Sequence, residues 1–166
     1  MIDLKQILVA TDFSEPAEAA VRYGIELCRR FGARLHLVHV VSDVSSRAAL
    51  ASGMAIDFDQ VQREIEEGAR QQLEALLPEP DRSALGATLV VIPSTSPAHA
   101  ILSYARDAQV DLIVTGTHGR KGVAHFFFGS VAQQITREAA CPVLTTGAHR
   151  REFLRPDALA VVPMSV

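Results

Sequence analysis

The segment Asp111-Leu112-Ile113-Val114-Thr115-Gly116-Thr117-His118-Gly119 sets an aliphatic run of strand length directly against a glycine-rich loop. Nine residues later Gly129-Ser130-Val131 opens a stretch of helical period. A strand that breaks into glycines and restarts as a helix turns bare backbone N–H groups and the positive end of a helix toward an anion. A phosphate chain, and hence a nucleotide, is the first ligand class to consider.

Working outward, the same strand-then-helix unit recurs along the chain. Ile7-Leu8-Val9-Ala10 is short, continuous and aliphatic, as expected of a parallel strand buried on both faces. It ends at Thr11-Asp12-Phe13-Ser14, where Ser14 is placed to cap a helix and Pro16 fits the first turn. Ala17, Ala20, Val21, Gly24, Ile25, Cys28 and Phe31 then form one apolar stripe that stops at Gly32. Leu35 to Val41 reads as a second strand, and Phe58, Val61, Ile65, Ala69, Leu73 and Leu76 line a second helix ended by Pro78. The span Ser42 to Ala55 has no firm period and reads as a loop or lid. Ala87 to Ile92 is a third strand, and Ser96-Pro97 starts a third helix carrying Ile101, Leu102, Ala105 and Ala108. Leu112 to Thr115, Val131 to Ala139 and Pro142 to Thr145 complete the series as strand, helix and strand. Strands alternating with amphipathic helices imply right-handed crossovers and a single open, doubly wound α/β parallel sheet with helices on both faces.

The composition agrees with one domain of that kind. The 166 residues are 48% apolar and 21% charged, and the net charge of −3 gives no overall attraction for nucleic acid or an anionic membrane. Cys28 and Cys141 are the two cysteines, neither at metal-ligand spacing from another Cys or His, and they read as reduced thiols. The opening Met1-Ile2-Asp3-Leu4-Lys5-Gln6 lacks the pattern of a signal peptide, and no apolar run reaches membrane-spanning length, so the expected compartment is the cytoplasm.

In an open parallel sheet, ligands settle outside the carboxyl ends of strands where the strand order reverses. If the first and fourth strands are neighbours, Thr11-Asp12, Val40-Val41 and the Gly116 loop converge there. Asp12 then either accepts hydrogen bonds from ribose hydroxyls, reaches phosphates through a metal, or only caps the turn into the first helix. Gly116 and Gly119 either take positive φ and admit a phosphate or form an ordinary tight turn, and Ser130 adds a hydroxyl. Arg120 and Lys121 either bring positive charge to a triphosphate or occupy a solvated turn. His118 is read as phosphate ligand or loop scaffold, whereas His36, His39 and His99 are assigned structural places. Phe126-Phe127-Phe128 is expected to be buried beneath the loop. There is no Walker P-loop, no Gly-x-Gly-x-x-Gly, no Gly-x-Ser-x-Gly elbow and no paired-carboxylate or Cys–His site.

Together these residues resemble the universal stress protein family over about Leu4 to Thr146. The matching pieces are Ile7 to Ser14, Leu37-Val38-His39-Val40, Asp111 to Arg120, Gly129-Ser130-Val131-Ala132 and Cys141-Pro142-Val143-Leu144. The pattern Gly-x2-Gly-x9-Gly-[Ser/Thr] marks the family's ATP-binding branch. The resemblance implies strand order 3-2-1-4-5, a domain over 1–146 with a tail or extra edge strand at 147–166, and a homodimer through the fifth-strand edge. It also implies ATP or a related adenine nucleotide, with magnesium, across the first and fourth strands. By that resemblance Ala10, Thr11 and Asp12 touch nucleotide and the Val40 backbone meets adenine. Thr115, Gly116, His118 and Gly119 line the phosphate approach, with Arg120 beside them, and Gly129, Ser130 and Val131 hold the phosphates. Two departures stand out: Ser94-Thr95-Ser96-Pro97 where many relatives carry glycine, and the longer tail. The expected function is that of a nucleotide-binding stress-response regulator; the alternatives are a slow ATPase using His118 and Asp12, or an interaction module that binds no nucleotide.

Overall fold

The sheet carries apolar residues on both faces, and helices cover both. In the computed structural model, which describes residues 2–45, 57–117 and 129–147, the order of elements is β1 (Gln6–Ala10), α1 (Glu15–Phe31), β2 (Arg34–Val41), α2 (Phe58–Leu76), α3 (Glu79–Ala84), β3 (Thr88–Pro93), α4 (Pro97–Asp107), β4 (Leu112–Gly116), α5 (Ser130–Glu138) and β5 (Val143–Thr146). The strands form one five-stranded sheet of order β3-β2-β1-β4-β5, and every neighbouring pair is parallel. The expected doubly wound sheet and its strand order are what the chain adopts.

Side chains alternate across each strand, so one aliphatic run feeds two cores. Ile7, Val9, Leu35, Leu37 and Val114 pack beneath α1 and α2, with Ala20, Val21, Ile25, Cys28 and Leu73. Leu8, Ala10, Val38 and Ile113 face the other way, against Ile101, Leu102 and Ala105 of α4 and Ile135 of α5. Crossovers from β1 to β3 therefore lie on one face and those from β3 to β5 on the other. That split makes the sheet doubly wound.

Three local expectations are corrected. The short helix α3 follows Pro78, where only a stop was expected; Pro sits in its first turn and Glu79, Ser83 and Arg82 bond to one another on its surface. It buries no residue, so it leaves no apolar period to read. The α1 stripe ends one turn early, with Phe31 39% exposed. In α2 it is Gln62, not Val61, that turns inward: Gln62 is 7% exposed and Val61 37%. Burial of the Gln62 amide is offset because its Oε1 accepts the Val44 N–H at 2.8 Å and its Nε2 donates to Glu66 at 2.9 Å. That pair ties the chain leaving β2 to α2.

Candidate functional site

From β1 the chain winds through β2 to β3 on one side, and from β4 it winds to β5 on the other. The loops after β1 and β4 therefore diverge from adjacent strands, paired as Val9 with Val114 and Ala10 with Thr115, and leave a crevice at the carboxyl edge of the sheet. Buried polar side chains gather at this edge. Of the five among the described residues, Thr11, Thr115, Thr117 and Thr146 lie at the ends of β1, β4 and β5, and only Gln62 lies elsewhere.

The turn after β1 is built by its own polar groups. The Thr11 N–H donates to the Val38 carbonyl at 3.0 Å, extending the β1–β2 ladder by one bond. Thr11 Oγ1 accepts the Phe13 N–H at 3.1 Å, and Asp12 Oδ1 accepts both the N–H (3.1 Å) and the hydroxyl of Ser14. Asp12 thus caps the entry to α1, and Ser14, although at the N-cap position, makes no side-chain cap of its own. Phe13 adopts a left-handed backbone with φ 61°, and its ring stacks at a tilt on His39 with centroids 4.4 Å apart. His39 Nδ1 lies 2.7 Å from the Thr11 carbonyl, which only accepts, so Nδ1 carries the proton. His39, assigned from sequence to a merely structural place, holds the turn at the crevice; only the register pairing Ala10 with Val38 reveals this.

Val40 lies where β2 outruns β1. The Val38 carbonyl is bonded on the β1 side by Thr11 and the Val41 carbonyl on the β3 side by Ser94. Hydrogen-bonding direction alternates along a strand, so Val40 shares the parity of Val38 and directs its N–H and C=O into the space β1 has left. A donor and an acceptor 40 residues into the chain thereby face the same crevice as the β4 loop.

At the end of β4, Gly116 is needed for close approach, not for an unusual backbone angle. It is absent from the positive-φ residues, and a Cβ there would meet the Pro16 carbonyl carbon and oxygen at 3.0 Å and the Ala17 nitrogen at 3.1 Å. The glycine lets the first turn of α1 rest on β4. Gly129 also has an ordinary extended backbone, φ −66° and ψ 146°, as the N-cap of α5. Its N–H donates to the Thr117 carbonyl, so it is not one of the amides left for an anion. The first intrahelical bond runs from the Gln133 N–H to the Gly129 carbonyl at 2.9 Å, so the N–H groups of Ser130, Val131 and Ala132 have no acceptor within the helix. Ala132 is a candidate that the sequence pattern did not single out. His118, Gly119, Arg120, Lys121 and the Phe126-Phe127-Phe128 run lie outside the described residues.

Electrostatics separate the two helix starts at this edge. The first turn of α1 carries Glu15 and Glu18, which oppose an anion, whereas that of α5 carries no acidic residue. A groove of about 380 Å³ elsewhere, among α2, α3 and the start of β3, has walls that neutralise each other, Arg82 pairing with Glu74 and Glu79. Among the described residues no group of three or more His, Cys, Asp or Glu side chains converges as a metal site. No described helix is long and apolar enough to cross a membrane.

An open, doubly wound parallel sheet with a glycine-flanked helix start at its switch point defines a class of α/β protein in which ligands settle at that edge of the sheet. The chain belongs to the universal stress protein family, whose model matches residues 3–146. A universal stress protein of Thermus aquaticus is 34% identical over 142 residues, covering 84% of this chain and 96% of its own. Among solved structures, the universal stress protein UspA of Lactobacillus plantarum superposes with TM-score 0.72 at 21% identity, covering 88% of this chain and 99% of that one. A universal stress protein of Archaeoglobus fulgidus in complex with dAMP gives TM-score 0.53 at 22% identity, covering 88% and 99%. One in complex with cAMP gives TM-score 0.58 at 18% identity, covering 88% and 98%.

Proposed function

We propose that this protein binds an adenine nucleotide, ATP in the first instance, in the crevice between the ends of β1 and β4, and acts as a stress-response regulator whose state is set by nucleotide occupancy. The observation that carries this reading is the start of α5. There three successive N–H groups, at Ser130, Val131 and Ala132, lack helical acceptors in a turn free of acidic side chains. Two fold neighbours are complexes with dAMP and cAMP, ligands that share an adenine and a phosphate. In this chain the Val40 N–H and C=O form the donor–acceptor pair an adenine edge requires, and the α5 amides are the partners for its phosphates. Ala10, Thr11 and Asp12 form the wall between them, and Thr115 and Gly116 the floor of the phosphate approach. His118, Gly119 and Arg120, outside the described residues, are assigned to the phosphate approach by the family resemblance.

Magnesium enters with the phosphates, which supply its ligands, since no carboxylate cluster is prepared for it among the described residues. Binding to one conformation stabilises that conformation, and pairing through the outer edge of β5 makes the response that of a homodimer in the cytoplasm. The domain is 1–146, with 147–166 appended to it.

Calorimetry with ATP, ADP and AMP, each with and without magnesium, tests the reading. Saturable binding at one site per chain is expected, weaker as phosphates are removed. Absence of heat and of any thermal stabilisation at millimolar nucleotide sinks the proposal.

A further inference from the structure

Thr146 closes β5, an edge strand of four residues, yet it is only 2% exposed. Its Oγ1 donates to the Pro16 carbonyl in the first turn of α1 at 3.2 Å, a contact spanning 130 residues of sequence. Its own carbonyl accepts the Thr117 N–H at 2.7 Å, and the Thr117 carbonyl accepts the N–H of Gly129, the N-cap of α5. Gly116, paired with Thr146 in the sheet, brings the Pro16 backbone to within close contact of the same point. The hydroxyl therefore pins β5 to α1, and from the carbonyl of the same residue a chain of backbone hydrogen bonds runs through Thr117 to the helix start.

We propose that Thr146 is a positioning residue for anion binding: its buried hydroxyl fixes the end of β5 beneath α1, and through the Thr117 bridge this sets the direction of the Ser130, Val131 and Ala132 N–H groups. The inference rests on the nucleotide reading above for its ligand, but not for its geometry. Orientation matters because hydrogen bonds weaken steeply with angle, and a helix start is useful to a phosphate only if several amides aim at it together. Valine matches threonine in shape and lacks the donor, whereas serine keeps the donor and loses only a methyl group.

The experiment compares the full-length wild type, Thr146→Val and Thr146→Ser by calorimetry with magnesium ATP, together with amide hydrogen exchange of each protein without nucleotide. Expected are at least tenfold weaker binding for Thr146→Val, affinity within about threefold of wild type for Thr146→Ser, and exchange at Thr117 and Gly129 at least tenfold faster in Thr146→Val, with the β1 amides unchanged. Wild-type affinity in Thr146→Val overturns the proposal. So does equal loss in both variants with faster exchange throughout β1, which would mark Thr146 as merely structural. If the wild type itself binds no ATP, the nucleotide reading fails; unchanged exchange at Thr117 and Gly129 in Thr146→Val then overturns the positioning role independently.

Discussion

Ser130 offers a way to remove one amide from α5 without disturbing the helix. Proline is tolerated at the first helical position, and it restricts the preceding residue to extended geometry, which Gly129 already has at φ −66° and ψ 146°. Ser130→Pro should leave the urea midpoint within error of wild type while weakening ATP about tenfold, the loss expected of one charge-assisted hydrogen bond. Unchanged affinity in a folded variant would remove Ser130 from the site. A second residue decides packing rather than binding. A Cβ at Gly24 would collide with Val9 Cγ2, so α1 lies on β1 only because that position has no side chain. Alanine gains ~1 kcal/mol of helix propensity but overpacks the core at a cost of ~1–3 kcal/mol. Gly24→Ala should therefore be destabilising overall, and Val9→Ala in the same chain should recover part of the loss. Additive losses in the double variant would show that the two positions do not touch.

Elements are held at the opposite, amino-terminal edge of the sheet by polar pins. Asp111 Oδ2 accepts the Lys5 N–H at 2.8 Å and the Gln6 N–H at 2.9 Å, joining the start of β1 to the start of β4. Asp111→Ala should cost ~1.5–3 kcal/mol in urea unfolding and Asp111→Asn less, because the amide oxygen still accepts. Equal losses for the two would deny the hydrogen-bond explanation. Helix α4 is fastened by His36, whose Nε2 donates to Gln6 Oε1 and whose Nδ1 accepts from the Tyr104 hydroxyl, each at 2.8 Å. Burial, with a smaller contribution from Arg34, holds the His36 pKa below its ordinary 6.5. The unfolded chain then binds a proton more readily, so this latch loses stability as pH falls below about 6.5 and stops losing it once the folded imidazole is itself protonated. His36→Gln should flatten the stability profile between pH 7 and pH 5 relative to wild type. Parallel profiles would show that the ring titrates alike in both states.

On the scale of the whole molecule, Cys28 reports the integrity of the larger core. It is 1% exposed, and burial pushes its thiol up to about 12, leaving ~0.01% thiolate at pH 8. Cys141, less buried, should react with a disulfide reagent first, and Cys28 only at the rate of global opening, so that nucleotide slows it in proportion to binding. Modification of Cys28 at the rate of a free thiol would mean that the α1 face opens locally. The sheet edges also differ. By strand parity the ring nitrogen of Pro93 faces away from β2, so β3 ends on a residue that forfeits no ladder bond. Edge strand β5 is kept to four residues.

Much of this was legible in the chain itself. Continuous aliphatic runs such as Ile7 to Ala10, alternating with helical stripes, are forced by a sheet buried on both faces, and local periodicity records that without reference to anything distant. The glycine spacing around Gly116 and Gly129 likewise pointed to the family to which the chain belongs. What it did not carry was why those glycines are there: Gly116 yields to Pro16, a hundred residues away, and Gly129 gives its N–H to Thr117. The inward turn of Gln62, the place of His39 beneath Thr11 and the burial of Thr146 against α1 were equally silent. A polar residue shows its role only through its partner, and the pairing of distant partners is set by strand register and helix docking. Local pattern therefore determined the architecture and the tertiary structure alone decided which polar groups meet at the crevice.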